Sequence, residues 1–149
     1  MKNKVNEIKL KYIGGYKLSD YQKISCSFDA AEIAFEQWDL DTIEAYESFK
    51  IILLNNHNGV KGIHQISQGC IASTSVDLRI LFAVVLKSLA TAIILIHNHP
   101  SGNLKASKVD IDLTHRVKKA AELFDVKVLD HLILCPNRKY FSFADEGLM

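Results

Sequence analysis

The segment His97-Asn98-His99-Pro100-Ser101-Gly102, with Ser107 and Asp110 behind it, puts two imidazoles, a hydroxyl and a carboxylate within fourteen residues. Two histidines and a carboxylate suit zinc, and three protein ligands leave a fourth position for water. A metal bound there lowers the pKa of that water to about 7, which supplies hydroxide at neutral pH. The chemistry indicated is metal-dependent hydrolysis, with one zinc ion per chain. Such a site also needs a general base. Glu32, Glu36, Glu44, Glu47 and Glu122 are available, along with several aspartates. Glu47 is the best placed, because it stands just ahead of a second apolar run, Phe49-Lys50-Ile51-Ile52-Leu53-Leu54.

Placing these groups together is the task of the elements around them. Ala92-Ile93-Ile94-Leu95-Ile96 is short, wholly apolar and rich in β-branched residues, so it reads as a buried, central strand. If the extended conformation lasts through His99, His97 and His99 share one face of it. Pro100-Ser101-Gly102-Asn103 then forces a turn. A helix beginning near Ser107 returns Asp110 toward the histidines. Each piece has a plainer reading. His-x-His at a strand end is usually surface or satisfied core, and Ser107-x-x-Asp110 fits a helix cap. A first-turn carboxylate can cap and also bind a cation.

Taken together, these residues resemble the JAMM metalloprotease signature, Glu…His-x-His-x7-Ser-x-x-Asp. The surroundings are similar to the RadC branch of that JAB/MPN family. They include Glu47-Ser48-Phe49 before Leu53-Leu54-Asn55, Ser67-Gln68-Gly69, Leu129-Asp130-His131-Leu132-Ile133, and 140–147 from Tyr140 to Gly147. The resemblance covers roughly residues 29–149. It implies a JAB/MPN-like (cytidine-deaminase-like) α/β fold, a single domain with a mixed β-sheet flanked by helices. It implies zinc on His97, His99 and Asp110, water activation by Glu47, and oxyanion stabilisation by the Ser107 hydroxyl. The implied reaction is hydrolysis of a peptide or isopeptide bond, on a peptide or protein substrate. Asp130 and His131 are candidates to support the metal ligands from behind, or else a satisfied core pair. Two features depart from the branch. Where its members often carry His-Pro-Arg-Glu, this chain has Asp77-Leu78-Arg79-Ile80, and residues 1–28 do not match the N-terminal helix-hairpin-helix region of many members.

Composition bounds the alternatives. A chain of 149 residues with 48% hydrophobic content and only two prolines suits one compact domain. Net charge is +1, so there is no global electrostatic case for nucleic acid. No apolar run reaches the about 18 residues needed to span a membrane. The N-terminus lacks the apolar core of a secretory signal, and Cys26, Cys70 and Cys135 are odd in number and widely spaced. Reduced thiols and a cytoplasmic location are expected.

Periodicity supplies the remaining elements. Residues 1–28 read as an extended arm with an alternating segment over 5–12, and 29–149 as the metal-binding domain. A helix is expected over 30–38 with Asp29 as its cap, then strands over 49–54 and 63–67 about the Asn58-Gly59 turn. Residues 77–89 read as a helix apolar over most of its surface, hence buried or meeting another subunit of a homo-oligomer. A helix over 108–124 has Val109, Leu113, Val117, Ala120 and Phe124 as its apolar face. Strands over 126–134 and 140–143 close the domain. His57, His64 and His115 read as ordinary polar residues. Lys105, Lys108, Arg116, Lys118 and Lys119 form a local basic patch without interleaved aromatics. Two other function classes stay open: a nucleic-acid-processing or DNA-repair-associated protein, from this patch and the repair label that members of the RadC branch often carry, and a non-catalytic interaction module, from the apolar helix over 77–89.

Overall fold

The computed structural model of the chain describes residues 15, 17–70 and 75–149, so the expected segment over 5–12 lies outside the described residues. A 3-10 turn at Leu18–Asp20 precedes α1 (Ser27–Glu36), β1 (Glu47–Leu54), β2 (Val60–Cys70), α2 (Leu78–Lys87), β3 (Ala92–Asn98), α3 (Lys108–Glu122), β4 (Lys127–Leu134) and β5 (Tyr140–Ser142). The strands form one sheet in the order β2-β1-β3-β4-β5. β1 runs antiparallel to β2 and β3, β3 parallel to β4, and β4 antiparallel to β5. Among the described residues the architecture is thus a small α/β domain with a five-stranded mixed sheet.

β3 is buried on both faces of the sheet, which is why it reads as an unbroken apolar run. Ile94 and Ile96 face α1, packed with Ala30, Ala34 and Phe35. Ile93 and Leu95 face α2 and α3, packed with Leu81, Val85, Val117 and Ala121. The odd-numbered side of β3 therefore leads straight on to His97 and His99, under α3.

Several local expectations are corrected. The first helix begins three residues earlier than 30, with Cys26 as N-cap. Asp29 sits in its first turn, and its carboxylate accepts from the backbone N–H of Ser25 and Cys26. In the β1–β2 turn Asn58 takes the left-handed conformation (φ 56°). Gly59 is needed instead for a close approach, since a Cβ there would lie 2.9 Å from the Asn55 side chain. The second helix buries one side only. Leu81, Phe82 and Val85 are in the core, whereas Ile80 and Leu86 are 50% and 41% exposed. Asp77 is its N-cap, accepting from the Arg79 backbone N–H at 2.8 Å. The apolar face of α3 is shorter than its periodicity predicts, because Val109 and Phe124 lie outside the core at 63% and 45% exposure.

Candidate metal centre

β3 ends at Asn98, but the His99 backbone N–H still reaches the Leu134 carbonyl at 2.9 Å. That bond carries the alternation of side chains one residue past the strand, so both histidines stay on the α3 side. Gly102, at φ 76°, closes the following turn with its N–H on the His99 carbonyl. The turn brings the Asn103 carbonyl 2.6 Å from His99 Nδ1. A carbonyl can only accept, so His99 carries its hydrogen on Nδ1 and presents Nε2 to the cleft.

Ser107 is the N-cap of α3. Its Oγ accepts from the Asp110 backbone N–H at 3.1 Å, and Asp110 Oδ2 accepts from the Ser107 backbone N–H at 2.7 Å. The capping box is real, and it also fixes the carboxylate. Asp110 Oδ1 lies 3.3 Å from His97 Nε2, Oδ2 lies 3.7 Å from His99 Nε2, and the two Nε2 atoms are 2.9 Å apart. The carboxylate that closes the capping box is thus the same one that faces both imidazoles.

These three side chains form the one metal-competent cluster among the described residues. A tetrahedral zinc with bonds of about 2.0–2.1 Å spaces its ligand atoms about 3.3–3.4 Å apart. The two Nε2 atoms are 2.9 Å apart and lie 3.3 and 3.7 Å from different oxygens of Asp110, and one ligand atom from each of the three residues keeps every separation within 4.8 Å. Donor type and spacing both fit a divalent ion.

The electrostatics agree. Burial pulls the His97 imidazole down to about 4, against the attraction of Asp110, so the ring is neutral at pH 7. Burial also pulls on His99, but Asp110, the Asn103 carbonyl and the charge of Glu47 outweigh it and raise its pKa. Asp110 is held far below the ordinary carboxylate range. Burial opposes that shift, and His99, His97 and Ser107 overcome it.

Glu47 opens β1. The register pairs Phe49 with His97, so two residues further on Glu47 comes level with His99 on the same face. Glu47, His97, His99, Ser107 and Asp110 line one cleft of about 320 Å³, with Phe49, Val109 and Leu113 as apolar wall and Lys105 at the side. Phe49 stacks on the His97 ring, with centroids 6.2 Å apart.

Asp130 and His131 part company, as neighbours on a strand must. His131 is fully buried, and its Nε2 lies 2.8 Å from His97 Nδ1. Burial drives its pKa well down. Asp130 does not join the cluster. Its carboxylate accepts from the Ser142 hydroxyl at 2.6 Å, the Ala144 N–H at 3.0 Å and the His131 N–H at 2.7 Å, and lines a separate cavity with Ile24 and Ile94. Its work is to clip the C-terminal turn to β4.

Two residues escaped the sequence reading. Asn98, between the histidines, points to the opposite face and is fully buried. Its amide donates to the carbonyls of Ile43 and Tyr46, and its Oδ1 accepts from the Ser48 N–H at 2.7 Å. It thus ties down the segment that delivers Glu47. Thr114 is also buried, with its hydroxyl 2.6 Å from His131 Nδ1. The only signal for Asn98 was a polar residue inside an apolar strand, and for Thr114 its position one helical turn beyond Asp110.

Comparison with known proteins gives a consistent result. The profile of the family described as "RadC-like JAB domain" matches residues 24–148. A UPF0758 protein of Flavobacterium johnsoniae is 48% identical over 103 residues, 69% of this chain and 44% of that protein. A UPF0758 protein of Porphyromonas gingivalis is 45% identical over 103 residues, 69% of this chain and 45% of the relative. One from Clostridium botulinum is 36% identical over 132 residues, 89% and 56% respectively. The chain spans about half the length of these curated relatives.

Proposed function

We propose, from the premise that this chain belongs to the RadC-like JAB domain family, that it is a zinc-dependent hydrolase cleaving a peptide or isopeptide bond. The observation that carries this reading is the convergence of His97, His99 and Asp110 in one cleft with Glu47 and Ser107. His97, His99 and Asp110 would hold the ion, which when bound supplies an acidified water and polarises the carbonyl under attack.

The chain's own groups do the rest. The Glu47 carboxylate takes the proton of the attacking water and passes it to the leaving amine. The Ser107 oxygen already accepts from the Asp110 N–H, so its hydroxyl hydrogen is the one to direct at the oxyanion. Phe49, Val109 and Leu113 form the apolar wall against which a substrate side chain packs. No helix among the described residues is long and apolar enough to cross a membrane.

The test combines metal analysis with a panel of peptide and isopeptide substrates. The purified chain is expected to hold one zinc per molecule. Glu47→Gln is expected to keep that zinc and lose about 10²–10⁴-fold in turnover. A protein that binds no divalent metal, or a variant that cleaves at the original rate, defeats the reading. A nucleic-acid role rests on the family resemblance and on the basic patch, of which Lys105, Lys108, Arg116 and Lys119 are exposed and Lys118 is half-buried. It predicts salt-dependent DNA binding, and absence of binding at low salt removes it.

A further inference from the structure

A polar chain runs from the metal cluster back into the protein, and every atom along it can be assigned. Thr114 Oγ1 donates its single hydrogen to the Asp110 carbonyl, 2.7 Å away. The same oxygen is 2.6 Å from His131 Nδ1, so it can only accept there. His131 therefore carries its hydrogen on Nδ1 and has a lone pair on Nε2. That lone pair sits 2.8 Å from His97 Nδ1, which must then be the donor. His97 is left with a bare Nε2, the atom facing His99 and Asp110.

We infer that Thr114 is a positioning residue, the anchor of a Thr114–His131–His97 relay that locks both rings as Nδ1–H tautomers and keeps the Nε2 of His97 open to a cation. The inference rests on the proposed metal site for its purpose, but not for its geometry. Neutral imidazole in water has no such lock, and a ring partly in the other tautomer presents an N–H where the ion needs a lone pair. The arrangement also ties the lock to helix α3. One residue, Asp110, supplies the carboxylate to the cluster and the carbonyl that consumes the threonine hydrogen. All the relay side chains are buried, so water does not compete for these bonds: His97 is 2% exposed, and Thr114 and His131 are 0%. Phe143 stacked on His131 at 4.5 Å holds that ring in plane.

The decisive measurement is the nitrogen spectrum of the imidazole rings in metal-free protein, at alkaline pH where the rings are neutral. In the unaltered chain His97 and His131 are both expected to show protonated Nδ1 and bare Nε2. A hydrogen on Nε2 of either ring overturns the relay, and this arm needs no variant to fold. Thr114→Val removes the acceptor and is expected to move both rings toward the Nε2–H form. It is expected to weaken zinc binding, measured by competition with a chelator, about 10–100-fold. Thr114→Ser keeps the hydroxyl and is expected to restore both readouts. Unchanged tautomers and unchanged affinity in Thr114→Val overturn the inference. Failure of the unaltered protein to bind zinc overturns the metal reading and leaves the tautomer result standing.

Discussion

At the residue scale the cluster economises by giving single groups two tasks. Ser107 is a helix cap through its oxygen and a candidate oxyanion donor through its hydrogen. Ser107→Ala is therefore expected to register in two measurements. Loss of the cap costs about 1 kcal/mol in denaturant unfolding, and loss of the donor costs about 10²–10³-fold in kcat. Loss of stability without loss of turnover would leave Ser107 as a cap only. The pair Asp130-His131 makes the complementary point. Alternation along β4 sends His131 to the cluster and Asp130 to the C-terminal turn, so adjacency in sequence is separation in function.

At the element scale, β3 is the organising strand, because its two faces do different work at its end. The histidines lie on the α3 side and Asn98 on the other, where it anchors the segment leading into β1. Asn98→Ala orphans one buried carbonyl, one part-buried carbonyl and one buried N–H. The expected cost is about 2–4 kcal/mol of stability, and turnover falls because Glu47 loses its support. Zinc affinity, which the proposed site would draw from β3 and α3, is expected to stay within a few-fold of the original. A large loss of zinc affinity would mean that β1 and the metal site are not separable in this way. The α3 periodicity illustrates how an element can mislead. Val109 falls on the apolar stripe of the helix, but the first turn overhangs the cleft, so its 63% exposure belongs to the cleft rim and not to the core.

At the scale of the whole molecule, the two buried neutral histidines make the metal-free protein acid-sensitive. Between its ordinary 6.5 and about 4, the unfolded chain binds a proton that folded His97 refuses. Stability therefore falls as pH falls through this window, by about 3 kcal/mol at about 1.4 kcal/mol per unit. His131, lowered too, acts in the same direction. His99 is raised, so its contribution is present below 6.5 and is lost as pH rises through its folded value, a partial offset. Asp110, depressed, contributes above 3.8 and is lost only as pH falls beneath that. Urea unfolding of chelator-treated protein from neutral pH down to about pH 4 should show the decline, and a flat profile would contradict it. Adding zinc at neutral pH is expected to raise stability by mass action, about 4 kcal/mol at a thousandfold excess over Kd. His97→Ala is expected to abolish that gain in a thermal-shift measurement.

What the amino-acid sequence determined by itself was whatever depends on local spacing. The apolar β3 run, the His-x-His phase, the Ser107 cap and the order of helices and strands follow from side-chain periodicity and turn chemistry, and family resemblance rests on the same residues. Tertiary structure alone decided which distant groups meet. Thr114 reaches His131 from seventeen positions away and Asn98 reaches Ser48 from fifty, through a sheet whose strand order departs from chain order. Hydrogen bonds of this kind have no periodic signature, because their partners are brought together by burial of the sheet's two faces and not by neighbouring positions along the chain.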